Sequence, residues 1–508
     1  MNIAVGLSDL LHISPLIALF LASLIPITVK VLNGNVEQNS YATLWQGMGG
    51  LLSAAMLFLT LFVVLSDFPG ATAFNGAIIM DGKTMCIGFL ALIIGAASLL
   101  LMHDNPSTSG EQFSELVFLT LNSVLGMLIL IAANDLVVLF IGLEVMSLSL
   151  YLMIAMSHEQ RYSKEAALKY FILGSLASAL LLFGISFLFG TVGTTSLPAI
   201  VEQAGNLVHS NQLFTFGIAM AMLGFCFKVS IVPFHAWTPD VYQGAPTPHT
   251  ALMSTAVKAV SFVAFLRLIE TDVLAWSQNL LDVMQWLAVT TMIVGNVAAI
   301  VQNNMKRMLA YSSVAHSGYL LAGLIATGVN DPKLVVEGTY DPRIFGASCV
   351  MFYLVGYSVM TFGAFALVSI LEKNESSSIQ VDDLAGYGRK HPALAFCLTV
   401  CLLSLAGIPP TVGFFGKFYI FTSAMAEGLI WLALWGVINS VISVYYYLRP
   451  IVAMYMKEGG QDLQDHHLGS RMAVVTCAFL ILVLGVFSGP LFEVIERAIT
   501  VEQITAQD

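Results

Sequence analysis

Four ionisable residues lie deep inside long apolar stretches of this chain, where they could exchange protons: Glu144, Lys228, Lys258 and Lys417. A charged lysine at the centre of a helix in lipid costs about 2.5 to 3.5 kcal/mol on insertion scales, so such residues normally face a bundle interior or a water-filled cavity. A buried lysine also loses its proton more readily than a lysine in water. The number and depth of these residues therefore indicate a pathway for ions.

Prolines break the predicted helices next to these lysines. Four prolines separate Lys228 from Lys258, and the pair Pro409-Pro410 precedes Lys417. Each proline removes an amide donor and frees backbone carbonyls that lipid cannot satisfy. Transporters build ion sites near the bilayer midplane from such broken helices, with charged residues beside the break. The alternative is a structural kink whose lysines extend to the headgroups, but each lysine lies several residues inside its apolar run.

Besides the lysines, Glu144 and His316 are candidates for proton transfer. Glu144 lies nine residues beyond Asp135, where a helix is expected to begin, which places it about 13 Å along the axis and near mid-bilayer. A lone carboxylate there would be protonated and idle without a cation nearby, so the buried lysines favour a functional role. His316 lies about one turn beyond Ser312, whose hydroxyl could orient it. Relay and structural roles remain equally open for His316.

Three further ionisable residues near these segments are expected to be structural. Lys169 follows a polar stretch at the start of the sixth predicted span, close enough to that end to extend to the headgroups. His235 and His249 flank the proline-rich loop, and we expect both to bond carbonyls that the prolines free.

The composition is that of a membrane protein with many spans. Of the 508 residues, 57% are hydrophobic and 10% are charged, whereas about 25% are charged in ordinary soluble domains. The mean hydropathy is +0.84. The net charge of -11 argues against a nucleic-acid-binding surface. Six cysteines lack CxxC spacing, so we expect no disulfide framework and no metal or iron–sulfur site in this chain.

The apolar runs predict an all-α polytopic membrane protein. Runs of about twenty residues, long enough to cross the hydrocarbon layer, suggest roughly fourteen spans. Proline breaks the seventh and twelfth spans, and this spacing indicates two inverted five-helix repeats, each with one broken helix. We predict a single membrane domain (1–508) with three N-terminal helices (1–110), a first repeat (111–270), a second repeat (278–456), and a last helix with a short C-terminal tail (470–508).

The distribution of lysine and arginine predicts the orientation of the chain. With the N-terminus outside, eleven of these residues fall in cytoplasmic loops and five fall on the opposite side. This asymmetry favours a periplasmic location for both termini. The count assigns Lys306 to a cytoplasmic loop and assigns Lys83 and Arg267 to loops on the opposite side.

Three runs of sequence carry a resemblance to a known family: Pro233 to Pro248, Lys306 to Ser313, and Ala406 to Lys417. They closely resemble the subunit N family of the proton-pumping NADH:quinone oxidoreductase, respiratory complex I. The resemblance covers most of the chain, and its motifs are specific. The related subunit M usually carries a glutamate where this chain has Lys417, and the related subunit L continues into a long lateral helix.

The resemblance implies an antiporter-like membrane-arm subunit that moves protons without redox chemistry of its own. It implies no cofactor in this chain, with FMN, iron–sulfur clusters and quinone bound by other subunits. The implied partners are the other membrane-arm subunits, including the homologous antiporter-like ones, and the implied location is the bacterial inner membrane. Four residues match those of the family's proton relay: Glu144, Lys228, Lys258 and Lys417.

Two other classes of function remain open at this point. One is a stand-alone or Mrp-type cation/proton antiporter subunit, which would exchange Na⁺ or K⁺ for protons. The other is a structural membrane subunit that pumps nothing and whose lysines pair with lipid or with neighbouring subunits.

Overall fold

The described part of the chain consists almost entirely of helices, because a backbone within lipid must satisfy its own polar groups. The computed structural model describes residues 6–33, 40–64, 71–108, 110, 112–156, 161–270, 273–329, 341–372, 378–459 and 468–505. The helices up to the first break are α1 (Leu7–His12), α2 (Ser14–Asn33), α3 (Ser40–Val64), α4 (Gly82–Asp104), α5 (Phe113–Ala132), α6 (Leu136–Met156), α7 (Arg161–Val192), α8 (Leu197–Ser210) and α9 (Gln212–Lys228).

The remaining helices follow the first break. They are α10 (Trp237–Gly244), α11 (Thr247–Leu252), α12 (Lys258–Ile269), α13 (Val273–Trp276), α14 (Gln278–Ile300), α15 (Met305–Val329), α16 (Pro342–Leu371), α17 (Tyr387–Lys390), α18 (Pro392–Ala406), α19 (Val412–Ala426), α20 (Ile430–Met456), α21 (Leu468–Val486) and α22 (Ser488–Thr505). A π-helical turn, Met253–Val257, joins α11 to α12. Two short antiparallel strands, β1 (Ala71–Ala73) and β2 (Ile78–Met80), precede α4.

Twelve described helices are long and apolar enough to cross a membrane, with α11, the π turn and α12 acting as one. Two interrupted helices accompany these twelve: α9 with α10, and α18 with α19. Helix α8 meets α9 at a bend of 119° and therefore lies across its direction. This arrangement confirms the prediction of an all-α membrane fold. Among the described residues it has twelve candidate spans, or up to thirteen if the bent pair α8 and α9 is one span, against the roughly fourteen predicted.

The two repeats show the same packing in opposite directions. Helix α5 packs on α6 as α14 packs on α15, and α6 packs on α7 as α15 packs on α16. Helix α7 contacts both parts of the first broken span, and α16 contacts both parts of the second. Because an odd number of spans separates equivalent helices, each runs in the opposite direction to its counterpart. We call the side where α4 begins the Gly82 face and the side where it ends the Asp104 face.

The first break occurs directly after Lys228, and neighbouring elements satisfy the freed backbone groups. The carbonyl of Val229 accepts a hydrogen bond of 2.6 Å from Ser317 Oγ on α15. The amide of Val232 donates to Thr291 Oγ1 on α14 at 3.0 Å. The first repeat is thus connected to the second at the point where its helix is broken.

The second break is built around Gly407, which takes the left-handed conformation at φ 86° that ends α18. The amide of Gly413, at the start of α19, donates to Ser404 Oγ at 3.1 Å. The carbonyls of Leu405 and Ala406 are left without an intrahelical donor and point to Lys417. This break therefore provides acceptors for a buried ammonium.

Candidate functional site

The four predicted lysine and histidine candidates all lie in the protein interior. Exposed fractions are 6% for Lys228, 3% for Lys258, 1% for His316 and 4% for Lys417. Side chains that extended to the headgroups would be exposed on the outer surface of the bundle. The arrangement therefore does not match the alternative of a kink with outward-directed lysines.

Glu144 and Lys228 occupy one site between α6, α7 and α9, but each is bound to a serine. Ser178 Oγ donates to the carboxylate of Glu144. Lys228 Nζ donates to Ser147 Oγ at 2.7 Å and lies 3.4 Å from the hydroxyl of Tyr170. No described hydrogen bond or ion pair joins Glu144 directly to Lys228. Glu144 and Lys228 are thus close to each other in this structure but do not contact each other directly.

A small cavity lies beside Lys228 and next to the serine that binds Glu144. Its lining includes Ser178, which binds Glu144, together with Ser147 and Lys228. Its volume of ≈ 10 Å³ is about enough for one water molecule. A single water there would have hydroxyl and amine partners, so it could connect the carboxylate site to the lysine.

Lys258 lies immediately after the π-helical turn and is bound to α15. Its Nζ donates to both the carbonyl and the Oγ of Ser313 at 2.5 Å. Tyr357 OH donates to the same Oγ at 2.9 Å. Ser317 Oγ contacts the carbonyl of Ser313 at 3.0 Å as well as that of Val229. Ser317 thus connects Val229, the residue after Lys228, to Ser313, which binds Lys258.

His316 lies between tyrosines from two helices. Its Nδ1 is 2.5 Å from Tyr353 OH on α16, and its Nε2 is 3.1 Å from Tyr447 OH on α20. Tyr447 also bonds Ser312. Both ring nitrogens therefore have hydroxyl partners, which allows a proton to enter on one side of the ring and leave on the other.

Lys417 forms the far end of this series of polar groups. Its Nζ donates to the carbonyls of Leu405 and Ala406 and to Ser440 Oγ, each at 3.0 Å. The same atom lies 5.0 Å from the centre of the Tyr319 ring. The Tyr319 hydroxyl accepts from Asn296 Nδ2 at 3.2 Å.

The polar groups lie in one file across both repeats, linked by hydrogen bonds in some places and by ring contacts in others. Asn296 also accepts from Tyr446 OH at 3.0 Å, and the ring of Tyr446 packs on that of Tyr447. The structure thus brings all five predicted site residues to one interior file. Apart from Ser312, which acts on His316 through Tyr447, sequence reasoning missed the tyrosines, serines and asparagine between them. Their signal was the close spacing of polar residues on α15, where Ser312, Ser313, His316 and Ser317 occur within six positions.

A second set of buried charges lies at the Gly82 face, where the sequence predicted loop residues. Arg267 Nη2 lies 2.6 Å from Asp81 Oδ2, and Arg267 Nε donates to the carbonyl of Ile131 at 2.9 Å. Lys83 Nζ lies 2.7 Å from Glu270 Oε1. The assignment of Lys83 and Arg267 to loops was therefore wrong. Their partners are distant in sequence, so the span count could not find them.

Removing Arg267 should destabilise the protein in a pH-dependent way. Burial would raise the pKa of the Asp81 carboxyl, but Arg267 and Lys83 outweigh it and hold that pKa at about 2. Because this lies below the usual 3.8, the stabilisation is present above about pH 4 and is lost as the pH falls toward about 2. We expect Arg267→Leu to cost about 3 to 5 kcal/mol near neutral pH, because Asp81 stays buried without its partner.

Thermal unfolding of the full chain in detergent checks this expectation. The double variant Asp81→Asn with Arg267→Leu should recover much of the lost stability, because no buried charge is left unpaired. A single variant Arg267→Leu that unfolds at the temperature of the unchanged protein would contradict it.

Comparison with known proteins identifies the family. Residues 133–443 match the family described as NADH:quinone oxidoreductase/Mrp antiporter, TM. The chain is 58% identical over 500 residues to NADH-quinone oxidoreductase subunit N of Bdellovibrio bacteriovorus, across 98% of this chain and 100% of that relative. The chain belongs to this family. Subunit N of Trichlorobacter lovleyi is 39% identical over 433 residues, across 84% of this chain and 85% of the relative.

Solved structures of family members share the fold. A chain of respiratory complex I from Thermus thermophilus with bound aureothin gives a TM-score of 0.78 at 30% identity, across 94% of this chain and 98% of that chain. A chain of the Mrp complex from Dietzia sp. DQ12-45-1b gives a TM-score of 0.81 across 97% of both chains. At 18% identity the latter shows the fold alone. The family resemblance inferred from the motifs is confirmed.

The file offers hydroxyls, amines and backbone carbonyls, together with the Glu144 carboxylate and the His316 imidazole. Among the residues placed by the structure, no set of three or more His, Cys, Asp or Glu side chains could hold a metal ion. Groups that both donate and accept hydrogen bonds can exchange protons, so the chemistry that this file allows is proton exchange.

Proposed function

We propose that this chain is a proton-translocating membrane-arm subunit of an NADH:quinone oxidoreductase. The observation that carries the proposal is the file of polar groups that runs from the half-buried Glu144 through the buried lysines to Lys417. It contains three lysines whose protonation can change, and it joins the two repeats. The subunit N relatives are named as parts of NADH-quinone oxidoreductase, which supports the same assignment.

The wider setting follows from this assignment. The chain's partners are the other membrane-arm subunits, including its antiporter-like homologues, and FMN, iron–sulfur clusters and quinone belong to other subunits. This chain holds no cofactor and resides in the bacterial inner membrane with both termini on the periplasmic side. Its repeats occupy residues 111–270 and 278–456, between three N-terminal helices (1–110) and a last helix with its tail (470–508).

The pair Glu144 and Lys228 acts as a switch at one end of the file. When the carboxylate approaches, its negative charge stabilises the ammonium form of Lys228. When the groups separate, the desolvated lysine favours its neutral form and passes the proton on. Lys258 receives it by way of Ser317 and Ser313.

The second repeat completes the pathway. His316 and its tyrosine partners carry the proton to the Asn296 and Tyr319 hydrogen bond, and Lys417 controls the far exit. Water in small spaces such as the cavity near Lys228 closes the remaining gaps. Quinone reduction elsewhere in the complex supplies the free energy, and this chain supplies only the route.

Replacing Glu144 with glutamine should lower proton translocation while the complex stays assembled. Glutamine keeps the hydrogen bond to Ser178 but removes the charge that acts on Lys228, so we expect the rate to fall about tenfold, within the usual range for coupled sites. The measurement is NADH-driven acidification of proteoliposomes that contain the assembled oxidoreductase, followed with a pH-sensitive dye. Quinone reduction is recorded in the same sample.

A matched control is Glu165→Gln, because this carboxylate is largely exposed and pairs with Lys169 at the helix start. It should pump normally. The proposal fails if Glu144→Gln also pumps normally. Transport that requires Na⁺ or K⁺ would instead support the cation/proton antiporter.

A further inference from the structure

A second buried pair of a glutamate and a lysine lies at the Asp104 face, outside the file described above. Lys306 is 6% exposed and Glu372 is 5% exposed. Lys306 Nζ lies 3.6 Å from Glu372 Oε1 and donates to the carbonyl of Ala245 at 2.6 Å. The assignment of Lys306 to a loop was therefore wrong. Its helix, α15, begins one residue before it, and neighbouring helices enclose it.

Glu372 is held in place by donors from two other parts of the chain. Asn105 Nδ2, at the end of α4, donates to Glu372 Oε2 at 3.0 Å. Thr247 Oγ1, at the start of α11, donates to Oε1, the oxygen nearest to Lys306. The carboxylate thus lies where the N-terminal helices and both repeats meet.

His249 adds a third titratable group to this cluster and has no hydrogen-bond partner. Its side chain is fully buried, and neither ring nitrogen bonds any residue that the structure describes. The expectation that it bonds a freed carbonyl was therefore wrong. It lies two residues beyond Thr247 on α11, the residue that donates to Glu372. An unpaired buried imidazole is costly unless it serves a purpose or binds water.

Helix α10 connects this cluster to Lys258. Its carboxyl end provides the Ala245 carbonyl that binds Lys306. Less than one turn earlier, Tyr242 is buried on the same helix, which packs against α15, the helix that carries both Lys306 and Ser313, the residue that binds Lys258. The cluster and the central file thus share one short helix.

We propose that Glu372, Lys306 and His249 form a proton-loading site at the Asp104 face that supplies Lys258. The carboxylate of Glu372 takes up a proton from water at that face, with His249 as the neighbouring acceptor. The proton then moves past Tyr242 and Ser313 to the neutral amine of Lys258, and Glu372 returns to its charged form beside Lys306. The net change is one proton moved from water to the lysine. This inference rests on the proposed function.

The charged and titratable surroundings of His249 are few. Helix α11 packs against α4, α6, α16 and the π turn. The π turn has no titratable group, and Asp104 on α4 is bound to the amide of Ser470. Toward the Asp104 face and mid-span, these elements and their caps carry the ionisable side chains of His103, Asp104, Glu144, Tyr151, Tyr353, Tyr357 and Glu372, and α15 adds Lys306. Replacing His249 should therefore be felt mainly by Lys306 and Glu372.

The test uses the assembled oxidoreductase in proteoliposomes and measures translocation against pH. Glu372→Gln should lower the rate about tenfold, and Glu372→Asp should restore much of it, because aspartate still carries a proton. His249→Gln should shift the pH of half-maximal translocation by about one unit, because the neighbouring titrations are coupled. Thr247→Val removes a hydrogen bond to Glu372 but no proton carrier, and it should leave the pH profile in place.

The outcomes separate this inference from the proposed function. Two results together would contradict the inference: Thr247→Val and Glu372→Gln lower the rate to the same extent, and His249→Gln leaves the pH profile unchanged. The cluster would then have only a structural role. That result leaves the proposed function standing as long as Glu144→Gln is defective. If Glu144→Gln pumps normally, the proposed function itself fails. The amount of intact complex shows whether each variant assembles. If Glu372→Gln does not assemble, the test is made with Glu372→Asp and His249→Gln.

Discussion

Replacing Lys228 with methionine should abolish proton translocation by the assembled complex. Methionine has a similar length and is apolar, so it suits the buried position that the ammonium occupies among Ser147 and Tyr170. It cannot accept a proton, and Lys228 is the one amine among the described residues that line the neighbouring cavity. General acid–base groups typically contribute a hundredfold or more to rate, so we expect a decrease of about that size.

Arginine at the same position distinguishes proton transfer from a structural charge. A guanidinium keeps the positive charge and the hydrogen-bond donors, but it does not release its proton in proteins. If Lys228 only pairs with its surroundings, Lys228→Arg should retain activity. If it carries protons, Lys228→Arg should be as defective as Lys228→Met.

Lys169, on the helix α7 that packs on the broken span, is a matched lysine for comparison. The Lys169 side chain is 42% exposed and pairs with Glu165 and Asp240, as expected for a residue near the membrane surface. Lys169→Met should therefore pump nearly normally, because exposed ion pairs contribute at most about 1 kcal/mol. Normal proton translocation by Lys228→Met, measured by dye quenching at equal complex content, would contradict the relay.

The sequence predicted the fold and the positions of the lysines because both follow from local patterns. Long apolar runs force helices in lipid, and a charge inside such a run must turn toward the interior. Prolines at 233 and 409 marked the two breaks, and the family motifs lie at the same places. These signals are local, so a single sequence contains them.

The contacts between those residues could not be predicted from the same patterns. Tyr353 and Tyr447 meet His316 from helices that are distant in sequence, and nothing in an apolar run shows which face a tyrosine presents. The ion pair of Asp81 with Arg267 and that of Lys306 with Glu372 were missed for the same reason. A count of loop charges treats each lysine or arginine as exposed, whereas a distant partner allows it to be buried.

Replacing Lys417 with glutamine should block the far end of the file while keeping its structure. The ammonium of Lys417 binds the Leu405 and Ala406 carbonyls that the helix break leaves free, together with Ser440. Methionine would leave these buried acceptors unsatisfied, at a cost of about 1 to 3 kcal/mol, so its effect would mix stability with transport. A glutamine amide can donate to two carbonyls but does not titrate. It therefore separates the two roles.

We expect Lys417→Gln to assemble normally and to lower translocation about a hundredfold, because the last proton acceptor of the file is lost. Lys457→Met is the control, since that lysine is half exposed and pairs with Asp382. Acidification of proteoliposomes and thermal unfolding are measured on the same preparations. If Lys417→Gln pumps at the normal rate with unchanged stability, protons leave the file before Lys417, and the exit must then lie at His316 or its tyrosine partners. If stability falls together with pumping, the lysine serves mainly to close the helix break.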